Sequence, residues 1–170
     1  VENSAARPNI IMIVADDLGY HDIGAFGNTT IKTPHLDRLA RQGLRFTDFH
    51  SNGAVCSPTR AALMTGRYQQ RSGIEGAVTA RSHRDTGLDT AETTLADFLK
   101  TQRYRTAITG KWHLGYDTLY SPLNQGFDYF KGFVSGNIDY HSHIDQEGYF
   151  DWWLGKDTLV EEGYSTDLIT

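Results

Sequence analysis

A short apolar run near the N-terminus constrains the fold of this chain more than any other feature. Residues 9–15 (NIIMIVA) carry no charge and are rich in β-branched side chains. Such a run is typical of a strand buried on both faces, as in a parallel sheet covered by helices.

Helix and strand signals then alternate along the chain. Thr33 as N-cap, Pro34 at the first helical position and Gly43 as a stop predict a helix over residues 34–42. Further elements are predicted as helices over residues 58–65 and 95–101 (capped by Thr94), strands over residues 44–49 and 104–109, and a loop over residues 69–90. This order predicts an α/β fold with a mainly parallel (mixed) sheet flanked by helices.

Composition narrows the class of protein. The 170 residues, 39% of them hydrophobic, are enough for one domain with a core, and the net charge of −5 argues against a nucleic-acid partner. No apolar run approaches the length of a membrane span. The single cysteine excludes an intramolecular disulfide.

That cysteine, Cys56, lies in the sequence CSPTR at a predicted helix start. Ser57 is a suitable N-cap, Pro58 a suitable first helical residue and Gly66 a suitable stop. Position 56 would then lie beside unpaired N–H groups at the positive end of the helix dipole, and Arg60 would add a permanent cation. The pattern predicts a side chain that faces an anionic substrate; the alternative is a small buried hydrophobe at an ordinary helix start.

Two further motifs follow predicted strand ends, where open α/β sheets place their ligands. Asp16 and Asp17 offer hard oxygen donors for Ca²⁺ or Mg²⁺, with two solvated acids as the alternative, and Asp22 could be a third acid. Lys111 and His113 (GKWHLG, residues 110–115) offer a compact charge and a proton carrier, with a surface loop as the alternative.

The aromatic and histidine-rich part of the sequence is open to several interpretations. His141 and His143 are two residues apart, a spacing that would place both on one face of a strand and would allow a zinc pair. The alternatives are a role in a substrate pocket and a loop whose histidines have no role. Trp152 and Trp153 could stack on a sugar ring or pack in a core.

Three segments together resemble the sulfatase family. Residues 54–66 (AVCSPTRAALMTG) are similar to its signature at each constrained position, and residues 8–22 resemble its N-terminus with paired aspartates. Residues 110–115 resemble its second signature, although Arg103 and Thr109 depart from that pattern in the preceding stretch. The resemblance implies the alkaline-phosphatase-like α/β fold and places residues 1–170 in the N-terminal part of a sulfatase catalytic domain, a truncated one.

The resemblance also implies a mechanism. A formylglycine-generating enzyme would oxidise Cys56 to formylglycine, whose hydrate is the nucleophile toward a sulfate monoester. Ca²⁺ (or Mg²⁺) would be bound by Asp16, Asp17 and the modified residue at position 56. Arg60 and Lys111 would stabilise charge and His113 would transfer a proton, so that Cys56, Arg60, Lys111 and His113 form the expected catalytic set.

The expected substrate is a sulfated sugar or an aryl sulfate, and the expected compartment is secreted, periplasmic or lysosomal. Two alternatives remain open. One is a phosphonate monoester or phosphodiester hydrolase of the same superfamily, and the other is a non-catalytic fragment or glycan-binding chain. The metal shell is completed in the family by residues that this chain does not contain, so the chain alone is expected to turn over little substrate.

Overall fold

A computed structural model describes residues 7–170, which divide into two compact units, one ending at Phe49 and the other running from His50 to Thr170. The first unit contains 3₁₀ turns at Tyr20–Asp22 and Gly24–Phe26 and the helix α1, Pro34–Gln42. The predicted bounds of α1 are confirmed, with Pro34 in its first turn.

The two strands predicted in the first unit are wrong. Residues 9–15 and 44–49 form no ladder with any described strand. Ile11 and Ile13 are 85% and 81% exposed, and Leu44 is 81% exposed. Strand propensity expresses packing against paired neighbours, so an apolar run that finds no partner remains irregular however suitable its composition.

The second unit supplies the remaining helices and the sheet. Its helices are α2 (Cys56–Thr65), α3 (Gln69–Ser72), α4 (Leu95–Thr101) and α5 (Ser165–Leu168), with 3₁₀ turns at Thr118–Tyr120 and Pro122–Asn124. Its strands are β1 (Ala107–Lys111), β2 (Tyr129–Phe133), β3 (Trp153–Leu154) and β4 (Asp157–Thr158). The sheet order is β1-β2-β3-β4; the first pair is parallel and the other two are antiparallel. The predicted α/β class with a mixed sheet flanked by helices is confirmed.

Helix α4 follows the sequence signal closely. The Thr94 hydroxyl accepts a hydrogen bond from the backbone N–H of Asp97, and the Asp97 carboxylate accepts one from the backbone N–H of Thr94. This reciprocal capping satisfies two N–H groups that a helix start otherwise leaves without partners.

Two apolar clusters form the core of the second unit. The larger one joins α2 to the sheet and has Trp112, Leu114, Phe130 and Leu88 at its centre. The smaller one contains Phe133, Ile138 and Trp152. Trp152 is fully buried, which confirms core packing for this residue rather than an exposed stacking surface. No helix of residues 7–170 has both the length and the apolar character of a membrane span.

Candidate functional site

The site is built around the first turn of α2. The helix starts at Cys56, after the extended Val55, so the predicted start at Pro58 is wrong by two residues. The predicted stop at Gly66, which is in the left-handed conformation, is confirmed. The predicted N-cap role of Ser57 is wrong, because Ser57 lies inside the helix and is fully buried. Its hydroxyl accepts a hydrogen bond from the backbone N–H of Val78 at 3.0 Å, so a tertiary contact has taken the oxygen that would have capped the helix.

Small side chains let α2 approach the core. Ala61 and Ala62 are buried on the inner side of the helix, and Ala61 belongs to the larger apolar cluster. This packing holds the start of α2, with the half-buried Cys56, at a fixed place in the second unit.

Lys111 ends β1 and reaches Cys56 directly. Its Nζ donates to Cys56 Sγ at 3.2 Å. On the same residue the backbone carbonyl accepts a hydrogen bond from Arg60 Nη1 at 2.6 Å. Two cationic side chains therefore meet at the start of α2. Lys111 lies beside the sulfur, and Arg60 is hydrogen-bonded to the strand that carries Lys111.

A glycine sets the backbone of the strand that carries Lys111. Gly132 of β2 pairs with Gly110 of β1 and has φ +150°. A Cβ at Gly132 would lie 2.1 Å from the Gly110 carbonyl oxygen, so no larger residue fits without moving β1.

His113 follows two residues after Lys111 and is 5% exposed. Its backbone is in the left-handed region, φ +60°, and its N–H donates to the Val134 carbonyl at 3.2 Å. The ring nitrogen Nε2 lies 2.9 Å from the Val78 carbonyl oxygen. Because Val78 also contacts Ser57, the histidine is tied to the same helix start as Lys111.

Tyr116, three residues after His113, is half-buried. Burial raises the pKa of Tyr116, while hydrogen bonds to its hydroxyl from the backbone of Gly136 and Ala80 act in the opposite direction. The net upward shift of the pKa keeps the phenol neutral. Sequence reasoning missed Tyr116, Val78 and Gly136, since no motif marks them and two of them act through the backbone.

Asp16 and Asp17 lie in the first unit and both are exposed. Asp17 has φ +54°, a left-handed conformation that is uncommon outside glycine, asparagine and aspartate and marks a sharp change of chain direction. Two successive carboxylates are a suitable donor set for a hard divalent cation. Asp22 accepts the backbone N–H of Gly19 at 2.7 Å, which accounts for its carboxylate as a turn-stabilising group.

The strand geometry predicted for His141 and His143 is wrong. His141 lies in a turn and is exposed, whereas His143 follows that turn with φ +58° and is 1% exposed. The His143 ring stacks on Trp152, with centroids 4.6 Å apart and an interplanar angle of 14°. The two rings therefore differ in environment, and the described geometry gives no support to a zinc pair on one strand face.

Comparisons with known proteins identify the family of this chain. The sulfatase family model matches residues 8–170. The chain is 45% identical to human steryl-sulfatase over 146 residues and 48% identical to bovine arylsulfatase A over 131 residues. These alignments cover 80% and 76% of this chain but 25% and 26% of the relatives, so the chain spans about a quarter of their length.

Solved structures give the same result. The crystal structure of Ps i-CgsB has a TM-score of 0.86 and 35% identity, and the match covers 95% of this chain and 39% of that one. The same protein in complex with k-i-k-neocarrahexaose gives a TM-score of 0.87. The PsFucS1 sulfatase from Pseudoalteromonas sp. gives 0.64 at 34% identity, over 77% of this chain and 26% of that one. With a family match over nearly its whole length, this chain belongs to the sulfatase family.

Proposed function

We propose that this chain carries part of the machinery for hydrolysing sulfate monoesters, with residue 56 as the nucleophile. The observation that carries the proposal is the 3.2 Å contact between Lys111 Nζ and Cys56 Sγ, with Arg60 fixed to the carbonyl of the same lysine. A sulfate ester is an anion, and this arrangement concentrates positive charge where its sulfur would approach the side chain at position 56.

Each residue of the set has a distinct role in the proposal. Lys111 neutralises sulfate oxygens as they gain charge, and Arg60 holds the oxygens of the nucleophile while its own position is fixed by β1. His113, buried beside the same helix start, transfers the proton that allows sulfate to leave. The N-terminus of the ten-residue α2 adds a favourable field for negative charge.

The modified residue and the metal supply what these side chains cannot. Formylglycine at position 56 offers a hydrated aldehyde, in which one hydroxyl attacks sulfur and the other allows the resulting ester to break down. A thiol or a plain serine offers no second hydroxyl. A divalent cation, Ca²⁺ or Mg²⁺, would supply Lewis-acid chemistry when bound. We assign it to Asp16, Asp17 and the oxidised residue 56.

The proposed substrate is a sulfated sugar or an aryl sulfate. Support for the sugar comes from Ps i-CgsB, which was solved with k-i-k-neocarrahexaose and matches 95% of this chain. Support for the aryl ester comes from the arylsulfatases at 42–48% identity. The expectation of a secreted, periplasmic or lysosomal compartment stays a prediction.

We further propose that residues 1–170 act as the N-terminal part of a sulfatase catalytic domain. Asp16, Asp17 and residue 56 provide fewer oxygens than the six to eight, roughly, that Ca²⁺ prefers. The 170 residues alone should therefore bind the metal weakly and show little turnover. Vigorous hydrolysis by these residues alone would contradict this part of the proposal.

Peptide mass spectrometry over residues 53–60 of protein from its native producer tests the nucleophile. Formylglycine at position 56 is expected, and unmodified cysteine after co-expression with a formylglycine-generating enzyme would overturn the proposal. In the complete protein, aryl sulfate and aryl phosphonate esters should be assayed side by side. Preference for the phosphonate would instead identify a phosphonate hydrolase.

A substitution isolates the second half of the reaction. In Cys56→Ser the serine oxygen can attack sulfur and release the alcohol, but the serine sulfate has no adjacent hydroxyl with which to break down. The expected result is one burst of alcohol and a protein heavier by one sulfuryl group, with Cys56→Ala as the matched control that gives neither. Continuous turnover by Cys56→Ser would contradict the assigned role of the modified residue.

A further inference from the structure

The ring of His113 is held by an acceptor that cannot donate. Its Nε2 lies 2.9 Å from the Val78 carbonyl oxygen in a buried environment. A carbonyl only accepts hydrogen bonds, so the proton must be on Nε2. In the neutral ring the other nitrogen, Nδ1, is then the proton acceptor.

Val78 is in turn held by the helix that carries the nucleophile. Its backbone N–H donates to Ser57 Oγ at 3.0 Å, and both residues are buried, at 4% and 0% exposure. Ser57 directly follows Cys56, so a two-bond relay joins the residue next to the nucleophile to the imidazole. The relay passes through the backbone N–H and the backbone carbonyl of Val78 and does not involve its side chain.

Gly136 lies against the ring of His113. A Cβ at Gly136 would lie 2.8 Å from His113 Nε2 and 2.9 Å from Cε1. Only a residue without a side chain therefore fits beside the imidazole at position 136.

We propose that Ser57 is a positioning residue for His113, acting through Val78, and that it fixes the imidazole as the Nε2–H tautomer. The inference rests on the proposed function for its catalytic consequence. The tautomer itself depends only on the contacts among Ser57, Val78 and His113. The serine after the cysteine thus has a tertiary task inside the helix, in place of the predicted N-cap role.

Nitrogen NMR of the ¹⁵N-histidine-labelled full chain tests the tautomer without any activity assay. The chain has seven histidines, so the His113 signals are assigned by their loss in His113→Gln. The expected spectrum shows a protonated Nε2 whose hydrogen exchanges slowly with water. A wild-type His113 ring protonated on Nδ1 and bare on Nε2 overturns the proposal.

Ser57→Ala tests the relay. Exchange of the Nε2 hydrogen should accelerate by about tenfold, roughly the effect of one lost hydrogen bond. Ser72→Ala is the matched control, because Ser72 is also buried and its hydroxyl donates to the Gln69 carbonyl, away from Val78. Unchanged His113 signals in Ser57→Ala, or the same change in Ser72→Ala, would refute the relay.

Kinetics in the complete protein separate this inference from the proposed function. Ser57→Ala should lower kcat with little change in KM, since substrate charge is still met by Lys111 and Arg60, while Ser72→Ala should alter neither. A wild-type protein that hydrolyses no sulfate ester would refute the function but leave the NMR result to decide the tautomer. An active wild type with equal kcat in Ser57→Ala would overturn the catalytic consequence.

Discussion

Replacing Arg60 by alanine should destabilise the second unit as well as impair chemistry. Arg60 Nη1 donates to the Lys111 carbonyl at 2.6 Å and so joins α2 to the end of β1, across 51 positions of sequence. The acceptor is a backbone oxygen beside the site, so an apolar side chain at position 60 cannot replace this hydrogen bond. The substitution leaves this carbonyl without its charged donor.

The size of the effect follows from the type of bond. A hydrogen bond with a charged donor contributes roughly 1.5–3 kcal/mol to the free energy of unfolding. For a domain of this size each kcal/mol lowers the melting temperature by about 2–4 °C. The Arg60→Ala protein should therefore melt about 3–12 °C below the wild type.

Arg67→Ala is the matched control. Arg67 follows the same helix, but its pair with Glu92, at 3.1 Å, is on the surface, and the arginine side chain is 55% exposed. Surface pairs of this kind contribute about 0–1 kcal/mol. Urea unfolding followed by tryptophan fluorescence gives the free energy of unfolding of both variants. The signal reports on the second unit, which contains all three tryptophans (Trp112, Trp152 and Trp153).

Equal free energies of unfolding for Arg60→Ala and Arg67→Ala would refute the structural role of Arg60. Arg60→Lys adds a further comparison, because it keeps the charge but loses the planar fork that reaches the carbonyl. It should recover only part of the lost stability. Full recovery would show that charge alone, rather than the bond to β1, is what matters.

Three further predictions concern the cap of α4, a buried phenol and the lysine beside the nucleophile. Thr94→Ala should cost about 1–3 kcal/mol of unfolding free energy in urea, because the hydroxyl caps Asp97 and also donates to the buried Gln125 carbonyl at 2.8 Å; a loss below that range would contradict the capping role. The raised pKa of Tyr116 means that its contribution to stability is complete below the unfolded pKa of about 10 and is lost as pH rises through the folded pKa. Melting temperatures should therefore be measured from about pH 9 to about pH 11, one unit on each side of that pKa. Over this range the melting temperature should fall more steeply for the wild type than for Tyr116→Phe. Lys111→Met in the complete protein should lower kcat by about 10²–10³-fold, as for other lost charge-stabilising groups, and an unchanged kcat would remove Lys111 from the catalytic set.

Local signals predicted the parts of the fold that depend on local chemistry. The bounds of α1 follow from Pro34 and Gly43, and the start of α4 follows from the reciprocal capping of Thr94 and Asp97. These contacts span three or four residues, so the sequence contains both partners side by side. The same holds for the glycine stop of α2.

Tertiary contacts explain where the sequence predictions failed. The run at residues 9–15 has the composition of a buried strand but no ladder in the described chain. Ser57 has the chemistry of an N-cap, yet its oxygen is taken by the N–H of Val78, 21 positions away. In both cases the outcome depends on pairing with a residue or strand far away in sequence, and such pairing leaves no local sequence pattern.

The site residues were identified from motifs, but their orientation depends on backbone oxygens. The Lys111 carbonyl holds Arg60, and the Val78 carbonyl holds His113. Any residue could supply such a carbonyl, so sequence cannot reveal it, and side-chain changes in the surrounding loops need not disturb it. Glycine is the exception, because a Cβ at Gly132 or Gly136 would meet Gly110 or the His113 ring directly. Loop side chains can thus vary with the substrate while the nucleophile, its cations and its histidine keep their places, provided that these two positions stay without side chains.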